Sequence, residues 1–263
     1  MRIKKPFIFL KALPKKLNEF YINQSKRTLI VRNKSFKKNE FNPVTNLDKS
    51  FEKFIRSLLL KSFPDHGILG EEFKTKKTTN SYQWSIDPID GTKAFVIGVP
   101  TWSNLIGLMF KGKSTYGLAN FPELNKFYIS DDKFSYLFKD KKKYVNKCSK
   151  KTTLKKIKII GNFNNNNKIN NIKMIKKFGS SFRSASFDAL SYCLLAQGKI
   201  DAVIETNLKS YDIIPLIPII ENAGGCISNW KNGSAEKGGN IIASSNRKLH
   251  KKLLKVIKQL NIK

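Results

Sequence analysis

A hydrophobic strand running into an acidic turn constrains this chain more than any other stretch: Trp84-Ser85-Ile86-Asp87-Pro88-Ile89-Asp90-Gly91-Thr92-Lys93-Ala94-Phe95. Trp84 to Ile86 reads as the end of a buried strand. Pro88 has no N–H to give a ladder, which predicts that Asp87 and Asp90 lie just past the strand end on a tight turn. Gly91-Thr92 then opens a helix whose backbone N–H groups and positive dipole end face the same spot. Two carboxylates beside such a helix start suit a hard cation between them, and oxygen-only ligands of this kind suit Mg²⁺ with a substrate phosphate. Asp-Pro and Asp-Gly are also ordinary turn dipeptides, and an Asp before a helix also serves as an N-cap. For either aspartate alone that plainer reading stays open.

Three other segments bear on the same chemistry. Pro43-Val44-Thr45-Asn46-Leu47-Asp48 leads into a helix predicted from Lys49 to Phe63, with Phe51, Phe54, Ile55, Leu58 and Leu59 on one face. Asp48 stands near its start, where a capping role is an equal reading. In Gly67-Ile68-Leu69-Gly70-Glu71-Glu72-Phe73, a short buried strand ends at a glycine that lets the backbone come close to something. Adjacent residues on an extended segment point to opposite sides, so at most one of Glu71 and Glu72 faces a given site. In Lys209-Ser210-Tyr211-Asp212-Ile213-Ile214-Pro215-Leu216-Ile217-Pro218, Asp212 is expected at an N-cap, and Pro218 implies a bend or an irregular start.

Together these segments resemble the inositol monophosphatase family of Mg²⁺-dependent, lithium-sensitive phosphatases. The resemblance runs from about Pro43 to Ala243 and is poor between Phe134 and Asn171. It implies an α/β (α+β) fold, a layered αβαβα sandwich of the inositol monophosphatase / fructose-1,6-bisphosphatase type. It implies metal ligation by Glu71, Asp87, Asp90, Asp212 and the Ile89 carbonyl, holding two or three Mg²⁺ ions. Glu71, Thr92 and Asp48 take the catalytic places, with Asp48 near a weakly held third metal. Gly91 and Thr92 offer N–H groups to phosphate. Asp90, Arg183, Asp188 and Glu205 are the substrate-binding candidates. Asp188 as a residue at a helix start and Glu205 as a strand-end charge remain alternatives.

Lys93-Ala94-Phe95, Pro100-Thr101-Trp102, Leu105-Ile106-Gly107-Leu108 and Tyr211-Asp212-Ile213 look most like the histidinol-phosphate phosphatase branch. Inositol-1-phosphatase, or a related sugar-phosphate or nucleotide phosphatase, is the alternative. The resemblance also implies a homodimer.

The rest of the chain fits one catalytic unit of two halves, residues 1–145 and 146–263, divided at the lysine-rich stretch Lys139–Lys158. A first helix over Ile8–Ser25 is broken early by Pro14. Residues 39–42 read as a polar loop, Phe73–Tyr82 as a flexible flap beside the site, and Asn162–Asn171 as a low-complexity asparagine run. Ile157–Ile160, Ser181–Ser184 and Ile200–Glu205 read as strands, alternating with helices at Lys168–Phe178 and Phe187–Gln197.

At 263 residues and 40% hydrophobic, the chain can bury a sizeable core. Its net charge of +31 invites a nucleic-acid partner. The basic residues are scattered, however, and 44 of the 50 are Lys, whereas base readout favours the Arg fork. A basic nucleic-acid-binding protein on a retained phosphatase fold is the alternative of another class. Cys148, Cys193 and Cys226 form no CxxC pair and read as free thiols of a reducing compartment. No apolar run reaches the roughly 18 residues of a membrane span, and no signal-peptide core precedes the first helix. A cytoplasmic enzyme acting on a small phosphorylated substrate, with no membrane partner, is the expectation.

Overall fold

In a computed structural model the chain is described over residues 5–26, 28–35, 41, 43–78, 80–163 and 168–261. Residues 39, 40 and 42 of the expected polar loop and 164–167 of the asparagine run lie outside the described residues. The elements in order are α1 (Lys5–Gln24), β1 (Val31–Asn33), β2 (Pro43–Thr45), α2 (Asn46–Ser62), β3 (Gly67–Gly70), β4 (Tyr82–Asp90) and α3 (Thr92–Val96). A meander follows: β5 (Ser103–Phe110), β6 (Lys113–Phe121), β7 (Lys126–Ser130), β8 (Ser135–Lys139) and β9 (Lys142–Val145). Then come β10 (Ile159–Asn162), α4 (Lys168–Phe178), β11 (Phe182–Ser184), α5 (Ala189–Ala196) and β12 (Ala202–Leu208). The chain closes with α6 (Ser210–Ile213), α7 (Leu216–Glu221), β13 (Cys226–Asn229), β14 (Gly239–Ser244) and α8 (Arg247–Gln259).

Two sheets carry the fold. One runs β3-β4-β5-β6-β7-β8-β9, and the other runs β11-β10-β12-β14-β13. Their central strands must bury both faces, and the apolar residues sort accordingly into three cores. Leu10, Leu13 and Leu17 of α1, with Phe51, Ile55 and Leu59 of α2, cover the outer face of the larger sheet against Trp84, Ile86 and Ile106. Tyr192 and Leu195 of α5, with Ile213, Leu216 and Ile220 of α6 and α7, fill the space between the sheets. Met174 of α4 and Leu249, Leu253 and Ile257 of α8 close the outer face of the smaller sheet. Helices therefore lie outside, between and outside the two sheets, in the expected αβαβα order.

Several local expectations need correction. Strand β4 does not stop before Pro88 but continues to Asp90. Its register with β5 slips between Asp87, opposite Leu105, and Asp90, opposite Ser103. Three steps on one strand face two on the other, a bulge at which proline's missing N–H breaks no ladder bond. Helix α1 likewise runs through Pro14, whose ring is buried, because packing against the sheet outweighs the one lost bond. The expected flap after Phe73 is pinned along the edge of β3 instead. Lys76 exchanges backbone bonds with Ile68, and its Nζ donates to the carbonyls of Pro64 (2.7 Å) and His66 (2.8 Å).

Candidate active site

The site forms where β3 ends and β4 continues. Gly70 is the last β3 residue paired, opposite Ile86, so Asp87 to Asp90 extend beyond their parallel neighbour into an open crevice. Within the bulge the Asp87 Oδ1 accepts the Ile89 N–H at 3.0 Å, and the Pro88 carbonyl accepts Asn104 Nδ2 at 2.6 Å. Gly91 then turns the chain with φ +82°, a value that favours glycine, and a Cβ there would stand 2.6 Å from Asp188 Oδ2. Helix α3 follows but is only five residues long. Its dipole is correspondingly small, so any grip on phosphate falls to individual N–H groups.

A cleft of about 600 Å³ collects Glu71, Asp87, Ile89, Asp90, Gly91, Thr92, Asp188, Glu205 and Asp212. Two larger hollows lie elsewhere, one beside Tyr82 and Glu221 and one beside Trp230 and Lys258. Neither contains this carboxylate cluster, so the chemistry and not the size identifies the site.

Each acidic group is held differently. Asp90 Oδ2 accepts the Ala189 N–H at 2.8 Å, at the start of α5, and lies 3.4 Å from Ser103 Oγ. Asp212 is the third residue of its short helix, not the N-cap; its Oδ2 reaches back to the Lys209 N–H at 2.7 Å. Its carboxyl and that of Asp87 are close enough to influence each other's charge. Burial, then the neighbouring carboxylates, push Asp87 and Asp90 well above the ordinary aspartate range. Burial raises Asp212 to about 6 and Glu71 to about 7.

Glu71 and Glu72 do not diverge as an extended segment would make them. The chain bends after Gly70, and both carboxylates meet Lys34 Nζ, the Glu71 Oε1 at 3.0 Å. Asp48 is the third residue of α2 and completes a capping box, accepting the Thr45 N–H at 2.7 Å and its hydroxyl at 2.5 Å. Its other oxygen lies 3.5 Å from Thr92 Oγ1.

Asp188 sits at φ +45°, a costly conformation for a non-glycine residue, and accepts Ser186 Oγ at 2.9 Å. Glu205, on β12, accepts the Tyr192 hydroxyl at 2.9 Å, and burial lifts it to about 8. Arg183 does not join them. It sits exposed on the edge strand β11, its guanidinium donating to the Ser180 carbonyl at 3.0 Å.

All-oxygen donors, buried together and raised by one another's charge, fit a hard divalent cation. Among the described residues no three acidic side chains close to ligand spacing round one point. Glu71 is held instead by Lys34, Asp212 by the Lys209 N–H and Asp90 by the Ala189 N–H. The shared cleft and the all-oxygen donor chemistry carry the fit. Lys34 and Tyr192 were not legible as site residues: Lys34 is one lysine among 44, and nothing local marks Tyr192 within its apolar helix.

The profile of the inositol monophosphatase family matches residues 8–261. The chloroplastic bifunctional phosphatase IMPL2 of Arabidopsis thaliana is 30% identical over 234 residues, 82% of this chain and 66% of that protein. The histidinol-phosphatase of Chlorobaculum parvum is 26% identical over 241 residues, 84% of this chain and 86% of that one. Among solved structures, the extragenic suppressor protein suhB of Bartonella henselae superposes with a TM-score of 0.83 at 23% identity, over 96% of this chain and 98% of that one.

Proposed function

The chain belongs to the inositol monophosphatase family, and on that premise we propose that it hydrolyses histidinol phosphate to histidinol and phosphate with Mg²⁺. Asp87, Asp90, Asp212, Glu71 and the Ile89 carbonyl would hold the metal. Bound there, Mg²⁺ supplies neutralisation of the phosphate, acidification of water and stabilisation of the leaving oxygen.

The protein's own groups do the remaining work. Thr92 Oγ1, 3.0 Å from the Ile89 carbonyl and 3.5 Å from Asp48, takes a proton from the attacking water and passes its own to Asp48. Glu71 orients that water in line with the leaving oxygen. The Gly91 and Thr92 N–H groups hold phosphate oxygens. Asp188 and Glu205, with Asp90, face the organic end of the substrate.

The observation that carries the substrate is the pair Asp188 and Glu205, two carboxyl groups in the same cleft. An amino group and an imidazolium are natural partners for them. One feature favours the second reading, an inositol or sugar phosphate: burial lifts Glu205 to about 8, which disfavours its charged form and suits it to a hydroxyl more than to a cation. Phosphate release from histidinol phosphate and inositol 1-phosphate, assayed side by side with Mg²⁺ and with a chelator, tests both. Faster Mg²⁺-dependent turnover of histidinol phosphate is expected; the reverse preference selects the second reading.

A further inference from the structure

Helix α2 carries a stripe of three charged residues one turn apart, Asp48, Glu52 and Arg56, which share one face. Glu52 is fully buried. A buried carboxylate is costly unless it is paired and hydrogen-bonded, and this one is both. Its Oε2 accepts the Glu72 N–H at 2.6 Å, and its Oε1 accepts the Phe73 N–H at 3.3 Å and Arg56 Nε at 2.7 Å. Arg56 Nη2 closes the loop on the Phe73 carbonyl at 3.1 Å. Gly70 admits the group, because a Cβ there would overlap the Glu52 carboxylate. On the other side of the bend, the Glu71 N–H donates to the Ile86 carbonyl at 3.2 Å, next to Asp87.

We infer that Glu52 is a positioning residue for Glu71. Two successive N–H groups converging on one anion form a nest, and only an acceptor-only side chain satisfies both while also pairing with Arg56. The clamp bends the chain where an extended segment would send Glu71 and Glu72 to opposite sides. It thereby delivers Glu71 to the cleft of Asp87 and Asp212. Asp48, one turn earlier on the same helix, reaches Thr92 across that cleft. One face of α2 thus sets the spacing between the Glu71 bend and the start of α3. This inference rests on the proposed role of Glu71 in holding metal.

The test compares Mg²⁺ binding by calorimetry in wild type and Glu52→Gln, whose amide sets an N–H against the N–H groups of the bend. Mg²⁺ affinity is expected to fall by roughly 10–100-fold. The Mg²⁺ needed for half-maximal phosphate release should rise in step, while KM for histidinol phosphate at saturating Mg²⁺ moves less than about threefold. Gly70→Ala keeps every charge but displaces the same carboxylate, and should reproduce the shift. Amide exchange at Glu72 and Phe73 in wild type needs no variant. It should slow on adding Mg²⁺, because metal affinity and order in the bend are reciprocally linked. Unchanged Mg²⁺ affinity in Glu52→Gln, or amide exchange indifferent to Mg²⁺, overturns the clamp while leaving the site reading intact. A wild type that takes up no Mg²⁺ overturns the site reading, and the clamp with it.

Discussion

The Thr92 hydroxyl stands 3.5 Å from Asp48 Oδ1, joining the start of α3 to the start of α2 across 44 residues of chain. The same hydroxyl donates to the Ile89 carbonyl at 3.0 Å, inside the bulge that carries the two central aspartates. A single side chain therefore links the acidic bulge to a buried acceptor. Thr92→Val removes the link with little change in shape. It is expected to lower kcat by about 10²–10³-fold, the range of a lost acid–base step, with KM little changed. Thr92→Ser, which keeps the hydroxyl, should recover most of that loss. Steady-state kinetics on all three proteins checks this.

The proposed function places Asp188 and Glu205 at the substrate's organic end. Asp188→Asn leaves a neutral amide where a cation would be paired, and a hydrogen bond to a charged group contributes about 1.5–3 kcal/mol. The kcat/KM for histidinol phosphate should fall by roughly 10–100-fold, with a much smaller fall for inositol 1-phosphate. Equal losses on both substrates would remove Asp188 from specificity.

Gly91 has φ +82°, and a Cβ would press to 2.6 Å from Asp188 Oδ2. Gly91→Ala should cost about 1–2 kcal/mol from the backbone alone. It should also raise KM, since Asp188 must move. Thermal unfolding and kinetics on the same variant separate the two effects.

The layered fold was legible only through the family resemblance, whereas individual strands and helices show in periodicity. The centre of the cleft was legible because its signal is local, Asp87 through Thr92 sitting within six consecutive residues. What escaped depends on contacts between distant segments. Pro88 reads as a strand stop because its missing N–H is visible, whereas the bulge that tolerates it depends on the register of β5. Pro14 reads as a helix break because the packing of α1 on the sheet is invisible in one dimension. Asp212 was expected to cap from outside its helix and instead caps from the third position, since Lys209 takes the N-cap place. Glu71 and Glu72 were expected to diverge, because nothing in their neighbourhood announces a clamp from Glu52. Arg183 is expected near the pocket, and the edge strand carries it away from there.

His250 is a histidine with no catalytic place. Its two ring nitrogens lie 2.9 Å from Ser228 Oγ and 3.1 Å from Ser244 Oγ, beneath α8. Burial lowers its pKa from 6.5 to about 4. The unfolded chain binds the proton near pH 6.5 and the folded chain only near pH 4, so the stability lost lies between those values as pH falls. The loss should approach about 3 kcal/mol. Urea unfolding of wild type and His250→Gln across this range should show the gap between them shifting against wild type as pH drops. A gap independent of pH would contradict the assignment.

The central claim is that Glu71, Asp87, Asp90 and Asp212, from three separate places in the chain, hold divalent cations in one cleft. Crystals grown with Mn²⁺, whose oxygen preference matches that of Mg²⁺, test this most directly through anomalous scattering. The account predicts anomalous peaks within about 2.0–2.5 Å of oxygens from these four side chains. Peaks confined to other parts of the surface, or a cleft without any at saturating Mn²⁺, would contradict it.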